Sequence, residues 1–252
     1  MFENMDVRVK EVIGNIRKHG YEAYIVGGAV RNMLLGFSAG DYDIVTSALP
    51  QEIMEISPKS IPTGLKHGTV TVLNRGLPIE VTTMRTEDTY SDMRHPDEVI
   101  FVKNLADDLK RRDFTVNAMA WDPTEDKITD LFGGREDLKK RIIRTVGDPD
   151  RRFSEDALRM MRAVRFASQY NFNLEPRTFL SVIRNASLIN KVSAERIRTE
   201  LFKILMSEVP SRGLFLLLYT GLMAEILPEL TPMAGFHQFS NWHDKDVFSH
   251  TM

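Results

Sequence analysis

Residues 24–47, YIVGGAVRNMLLGFSAGDYDIVTS, constrain the fold more than any other stretch. Tyr24, Ile25 and Val26 form an apolar run that reads as a strand and meets the pair Gly27 and Gly28. Ala29, Val30, Met33 and Leu34 then follow helical spacing as far as Gly36. After a short loop, Asp41-Tyr42-Asp43-Ile44-Val45 reads as a second strand. Side chains two apart on a strand share a face, so Asp41 and Asp43 would concentrate negative charge at one point. A cation offsets that cost, and Mg²⁺ takes carboxylate and phosphate oxygens. The glycine pair lets the backbone approach a phosphate closely, beside a helix N-terminus. An isolated Asp-x-Asp or Gly-Gly is common on loops. Here their order, with Arg31 in the first turn of the intervening helix, predicts metal-bound triphosphate chemistry.

With 252 residues, 42% of them hydrophobic, the chain can build a core in one large or two to three small domains. The formal net charge of -2 means that any nucleic-acid contact must come from a local basic patch. The absence of cysteine excludes disulfides and thiolate metal sites and fits a cytoplasmic protein. Val7, Val12, Ile13 and Ile16 suggest a packed first helix, stopped by Gly20, and not a signal peptide. No stretch approaches the length of a membrane span.

Pro50 is suited to the first turn of a further helix. Residues 68–83 then switch to a strand pattern, with Asn74-Arg75-Gly76 as the turn of a hairpin. Glu80, in its second strand, is the candidate third carboxylate beside Asp41 and Asp43. Residues 84–98, MRTEDTYSDMRHPDE, are polar and aperiodic, as a surface loop or a nucleotide lid would be. A short helix containing Leu105 and Leu109 ends in the basic run Lys110, Arg111 and Arg112. That run suits a helix C-terminus, and equally a triphosphate clamp. Val116, Ala118 and Ala120 suggest a strand leading away. After Gly134 helical signals dominate. Residues 154–169, SEDALRMMRAVRFASQ, read as one amphipathic helix with Ser154 as N-cap and Arg159, Arg162 and Arg165 as a cationic stripe. The helical pattern continues through AERIRTELFKILMS and RGLFLLLYTGLMAEILPEL.

Residues 24–47 resemble the nucleotidyltransferase motif of the DNA polymerase β superfamily. RRDFTVNAMA is similar to the third motif of the tRNA nucleotidyltransferases and bacterial poly(A) polymerases. With YSDMRHPD, FGGREDL and RFSEDALRMMRAVRF, the resemblance is to the bacterial class II CCA-adding tRNA nucleotidyltransferases, over residues 20–230. Asn32 departs from the pattern, standing where an Asp usually follows the Arg.

The resemblance implies an α+β fold: a nucleotidyltransferase head with a mixed sheet at residues 1–138, an all-α neck at 139–205 and part of a helical body at 206–252. It implies transfer of CMP and AMP from CTP and ATP to the 3′ end of tRNA, with pyrophosphate released. Poly(A) polymerase or A-adding activity, and an inactive nucleotide- or RNA-binding fragment, are the alternatives. Asp41 and Asp43 would hold a pair of Mg²⁺ ions, with Glu80 as third carboxylate. Gly28, Arg31 and Arg112 would bind the triphosphate, and Arg162 and Arg165 would extend the positive surface below the nucleotide. The partners implied are tRNA, CTP and ATP, with neither DNA nor a membrane. Three positions apart on one helix, Asp156 and Arg159 would read the base, with Glu155 holding Arg159. His243, Asp244 and His250 are similar to the entry of an HD-type phosphohydrolase domain. That site needs more ligands downstream, and a terminal helix of an incomplete module is the better reading.

Overall fold

The computed structural model describes residues 5–38, 40–87, 99–236 and 246–251. The chain divides into two compact units, the first reaching Lys140 and the second running from Arg141. The first unit is built on a seven-stranded sheet. Its elements are α1 (Val7–Lys18), β1 (Ala23–Val26), α2 (Gly28–Leu34), β2 (Asp43–Thr46), α3 (Pro50–Ile56), β3 (Ser60–Gly64), β4 (Thr69–Asn74) and β5 (Leu77–Thr83). There follow β6 (Arg85–Glu87), β7 (Val99–Phe101), α4 (Leu105–Lys110), β8 (Met119–Asp122), β9 (Lys127–Asp130) and α5 (Gly134–Lys140).

The sheet order is β3-β4-β5-β2-β1-β8-β9. The β2–β5 pair is parallel and the other neighbours are antiparallel, so the sheet is mixed as expected. The β4–β5 hairpin turns at Arg75 and Gly76, both with positive φ. α1 buries Val9, Val12, Ile13 and Ile16, while Val7, expected to pack, is 57% exposed one turn before that face. Val26, Val45, Met84, Leu109 and Ala120 form a buried cluster that joins strands β1, β2 and β8 to α4.

Further local expectations are corrected in this unit. Residues 115–117 form a 3-10 turn, and the strand starts at Met119. Asp113 causes this by accepting from the Phe114 N–H and the Asn117 side chain, which closes the backbone into a turn. The polar stretch 84–98 begins as a strand, because Arg85–Glu87 pairs with Val99–Phe101. The lid reading falls on residues 88–98, outside the described residues.

FGGREDL has a packing role. A Cβ on Gly134 would run into the Thr115 carbonyl and lie 3.0 Å from Met119 Sδ. Asp137, from the same motif, accepts from Thr115 Oγ1 at 2.7 Å. FGGREDL is thereby locked to RRDFTVNAMA.

The second unit contains β10 (Ile142–Ile143), α6 (Pro149–Glu155), α7 (Leu158–Gln169), β11 (Asn173–Leu174), α8 (Pro176–Asn185), α9 (Ala194–Leu205), α10 (Pro210–Tyr219), α11 (Leu222–Ile226) and α12 (Val247–Thr251). It is helical apart from the short parallel pair β10–β11, a small departure from all-α. Its core gathers Phe153, Met160, Met161, Val164, Ile204, Leu217 and Phe248, among others. His250 lies in α12, while His243 and Asp244 fall outside the described residues.

The expected helix over residues 154–169 is two helices. α6 ends at Glu155, Asp156 is extended at φ -147 and ψ 105, and α7 starts at Leu158. Ser154 is no N-cap, because its hydroxyl donates back to the Arg151 carbonyl at 2.8 Å. Asp156 does the capping, accepting from the Leu158 N–H at 3.1 Å.

Candidate active site

The candidate phosphate- and metal-binding residues lie in the first unit. Register pairs Asp43 on β2 with Glu80 on β5 across two parallel strands. Asp41 precedes β2 and is not on the strand, so the shared face expected for Asp41 and Asp43 does not come from strand alternation. The three carboxylates still interact. Asp43 opens to solvent, yet burial pushes its carboxyl above the usual carboxylate range. The charges of Glu80 and, more weakly, Asp41 add to the rise, and Arg112 opposes it. Such a patch of hard oxygen donors suits a divalent cation. Among the described residues no three His, Cys, Asp or Glu side chains form a metal cage by themselves. A hard cation bound through one or two carboxylates needs phosphate or water oxygens to complete its shell.

Gly27 supplies the approach. Its backbone lies at φ 69 and ψ -130, which a side chain would strain. A Cβ there would sit 3.1 Å from Arg112 Nη1 and 3.9 Å from Asp43 Oδ2. Gly27, Arg112 and Asp43 therefore converge. The next residue, Gly28, begins α2, and a Cβ on it would lie 3.4 Å from Arg31 Nη2. The Arg31 side chain is buried and donates to Asn117 Oδ1 and, at 3.1 and 3.3 Å, to Asn32 Oδ1. Asn32 thus still accepts from Arg31 although it carries no charge.

In the second unit, Glu155 accepts from Arg159 Nη1 at 2.6 Å and from Arg152 Nη1 at 2.7 Å. Glu155 closes α6 and Arg159 lies on α7, so this ion pair spans the break between the helices. Asp156 is held by Arg196 of α9, whose Nη2 donates to Oδ2 at 2.8 Å. The cationic stripe is tied down at both ends. Arg165 Nε donates to Glu200 Oε2 at 2.6 Å, and its Cζ lies 4.0 Å from the Phe166 ring centroid. Arg162 Cζ lies 5.5 Å from the same centroid.

The structure thus groups Asp41, Asp43, Glu80, Gly28, Arg31 and Arg112 in the first unit, and Asp156, Arg159, Arg162 and Arg165 in the second. Asp108 and Arg196 were not foreseen. Asp108 was legible in principle, since an acid three and four residues before Arg111 and Arg112 can pair with both on a helix. Arg196 is forty positions from Asp156, and no local pattern joins them.

Comparison with known proteins identifies the family. The family described as the poly(A) polymerase head domain matches residues 23–144. The family described as the probable RNA and SrmB-binding site of polymerase A matches residues 171–233. The CCA-adding enzyme of Geobacillus sp. (strain WCH70) is 54% identical over 211 residues, 84% of this chain and 52% of the relative. That of Ligilactobacillus salivarius is 49% identical over 234 residues, 90% of this chain and 58% of the relative. The chain spans about half the length of the curated relatives it matches. The crystal structure of the Bacillus stearothermophilus CCA-adding enzyme in complex with CTP superposes with a TM-score of 0.83 at 47% identity, over 91% of this chain and 57% of that one. The Thermotoga maritima CCA-adding enzyme complexed with tRNA gives a TM-score of 0.74 at 26% identity, over 93% and 55%. Head motifs, helical motifs and fold agree, and the chain belongs to the bacterial CCA-adding enzyme family.

Proposed function

We propose that this chain carries the catalytic and base-reading parts of a template-independent nucleotidyltransferase that adds CMP and AMP to the 3′ end of tRNA. The observation that carries the reading is the convergence of Gly27, Arg112 and Asp43, with Glu80 in register beside Asp43. Asp41 and Asp43 would hold Mg²⁺ with the nucleotide's phosphate oxygens, as the all-oxygen donor set allows. A pair of such ions would supply two things, a lowered pKa at the attacking 3′-hydroxyl and charge stabilisation at the leaving oxygen. Arg112 and Arg31 hold the triphosphate, Arg112 through Nη1 at the Gly27 turn. The absent Cβ of Gly27 leaves the backbone open to the phosphates.

In the helical unit, Asp156 offers acceptors and Arg159 donors. Cytosine and adenine present an amino donor beside a ring-nitrogen acceptor, which complements that pair. Uracil and guanine reverse the order and would leave charged acceptors unsatisfied, at a cost of about 1–3 kcal/mol. No nucleic-acid template is then needed. Glu155 keeps Arg159 in place, and Arg196 does the same for Asp156. Arg162 and Arg165 add positive charge to the same helix.

Incubation with tRNA lacking CCA and each labelled nucleotide tests the reading. Use of CTP and then ATP is expected. A ladder built from ATP alone would assign polyadenylation, a single A on tRNA ending in CC an A-adding enzyme, and no incorporation a binding fragment.

A further inference from the structure

We infer that Asp108 is a positioning residue that aims Arg112 at the triphosphate, an inference that rests on the phosphate-binding reading of Arg112. Asp108 lies on α4, and its side chain is 0% exposed beside the buried cluster that includes Leu109. A buried carboxylate survives only when its charge is answered. Here two guanidinium groups answer it, one on each oxygen. Oδ1 accepts from Arg111 Nε at 3.0 Å and Nη2 at 2.7 Å. Oδ2 accepts from Arg112 Nε at 3.3 Å and Nη2 at 3.0 Å. The Arg85 N–H, at the start of β6, also approaches Oδ1 at 3.4 Å.

The direction of this grip matters. Asp108 takes the Nε/Nη2 edge of Arg112, and the planar guanidinium then fixes where Nη1 points. Nη1 lies at the Gly27 turn, on the side of Asp43. Asp108 itself, fully buried, cannot touch a nucleotide. Its effect on the ligand passes through Arg112. An unrestrained arginine would lose side-chain entropy on clamping phosphates, and Asp108 removes much of that cost in advance.

The test compares CTP and CMP binding by titration calorimetry, with steady-state kinetics on tRNA lacking CCA, for the parent and for Asp108→Asn, Arg112→Ala and the double variant. Arg112→Ala is expected to weaken CTP binding by about tenfold to a hundredfold, the worth of hydrogen bonds to a charged partner, and CMP far less. Asp108→Asn is expected to show the same selective loss, as a raised KM with little change in kcat. The double variant is expected to be no weaker than Arg112→Ala, because the two residues act as one unit. If Arg112→Ala binds CTP like the parent, the phosphate-binding reading fails and the inference falls with it. If Arg112→Ala loses CTP while Asp108→Asn does not, the role of Asp108 alone is overturned. Equal losses for CTP and CMP, or additive losses in the double variant, overturn it as well. Should Asp108→Asn fail to fold, Arg112→Lys decides. Its ammonium keeps the charge but cannot grip Asp108 by one edge and reach phosphate with the other. Loss of CTP binding in Arg112→Lys supports the inference, and parental binding overturns it.

Discussion

Replacing Glu155 with Ala would test how Arg159, the arginine proposed to read the base, is held. Glu155 accepts from Arg159 at 2.6 Å, Arg152 at 2.7 Å and Arg151 at 3.1 Å. The Arg151 side chain is 74% exposed, so that contact contributes about 0–1 kcal/mol. The other two differ, because Arg152 and Arg159 are each only 9% exposed and would keep their charge after the carboxylate is gone. Removing one partner of a buried pair costs about 3–5 kcal/mol. The lower end applies, since Arg152 still reaches the Val146 carbonyl at 3.0 Å and Arg159 the Arg152 carbonyl at 3.1 Å. We expect Glu155→Ala to lower the unfolding free energy of the helical unit by about 3 kcal/mol, and Glu155→Gln, which keeps one acceptor, by about half of that. Urea denaturation followed by far-UV circular dichroism measures the loss. The same variants, assayed below their unfolding transition, should incorporate UTP and GTP more readily, because Arg159 is no longer fixed. A loss under about 1 kcal/mol with parental rejection of UTP would refute the reasoning, since it would mean that solvent already screens these pairs.

Asp43→Asn should abolish nucleotide transfer but raise stability near neutral pH. The folded-state pKa of Asp43 is raised by burial and by Glu80, so its charge opposes folding above that pKa and the opposition disappears below the ordinary value of 3.8. Urea titrations at several pH values check this: the gain should shrink on acidification, and a gain independent of pH would refute it. Asp108 has the opposite sign: Arg112 and Arg111 outweigh burial and hold its carboxyl below 3.8, so its stabilisation is full above that pH and is lost only as pH falls through the lowered folded value. The stability difference between the parent and Asp108→Asn, measured from pH 7 downward, should hold nearly constant to about that pH. Gly213→Ala should cost about 1–3 kcal/mol by overpacking, seen as a lower melting temperature, because the new methyl would overlap Ile204 Cγ2 and lie 2.9 Å from Ser168 Oγ. Asp156→Ala should admit UTP and GTP while the metal dependence of transfer is unchanged, and a variant that slows yet still rejects both would count against base reading by this residue.

Much of the head was legible in the sequence because its signals are local. The apolar run before Gly27, the helical spacing after it and the positive-φ turn at Arg75 and Gly76 each depend on neighbours a few positions apart. The family, and with it the mixed sheet followed by helices, was legible because several such motifs occur in a fixed order. What tertiary structure alone decided involves partners far apart in the chain. Glu80 faces Asp43 only because β5 pairs in parallel with β2, a register no local pattern encodes. The 154–169 helix breaks at Asp156, where one oxygen caps α7 and the other pairs with Arg196 of α9. Helical propensity near that point is adequate, and long-range hydrogen bonding overrides it. Arg112 was readable as a candidate phosphate-binding cation, but the direction of its guanidinium was not. The burial of Asp108 and the positive-φ turn at Gly27 set that direction together, and both are properties of the packed molecule.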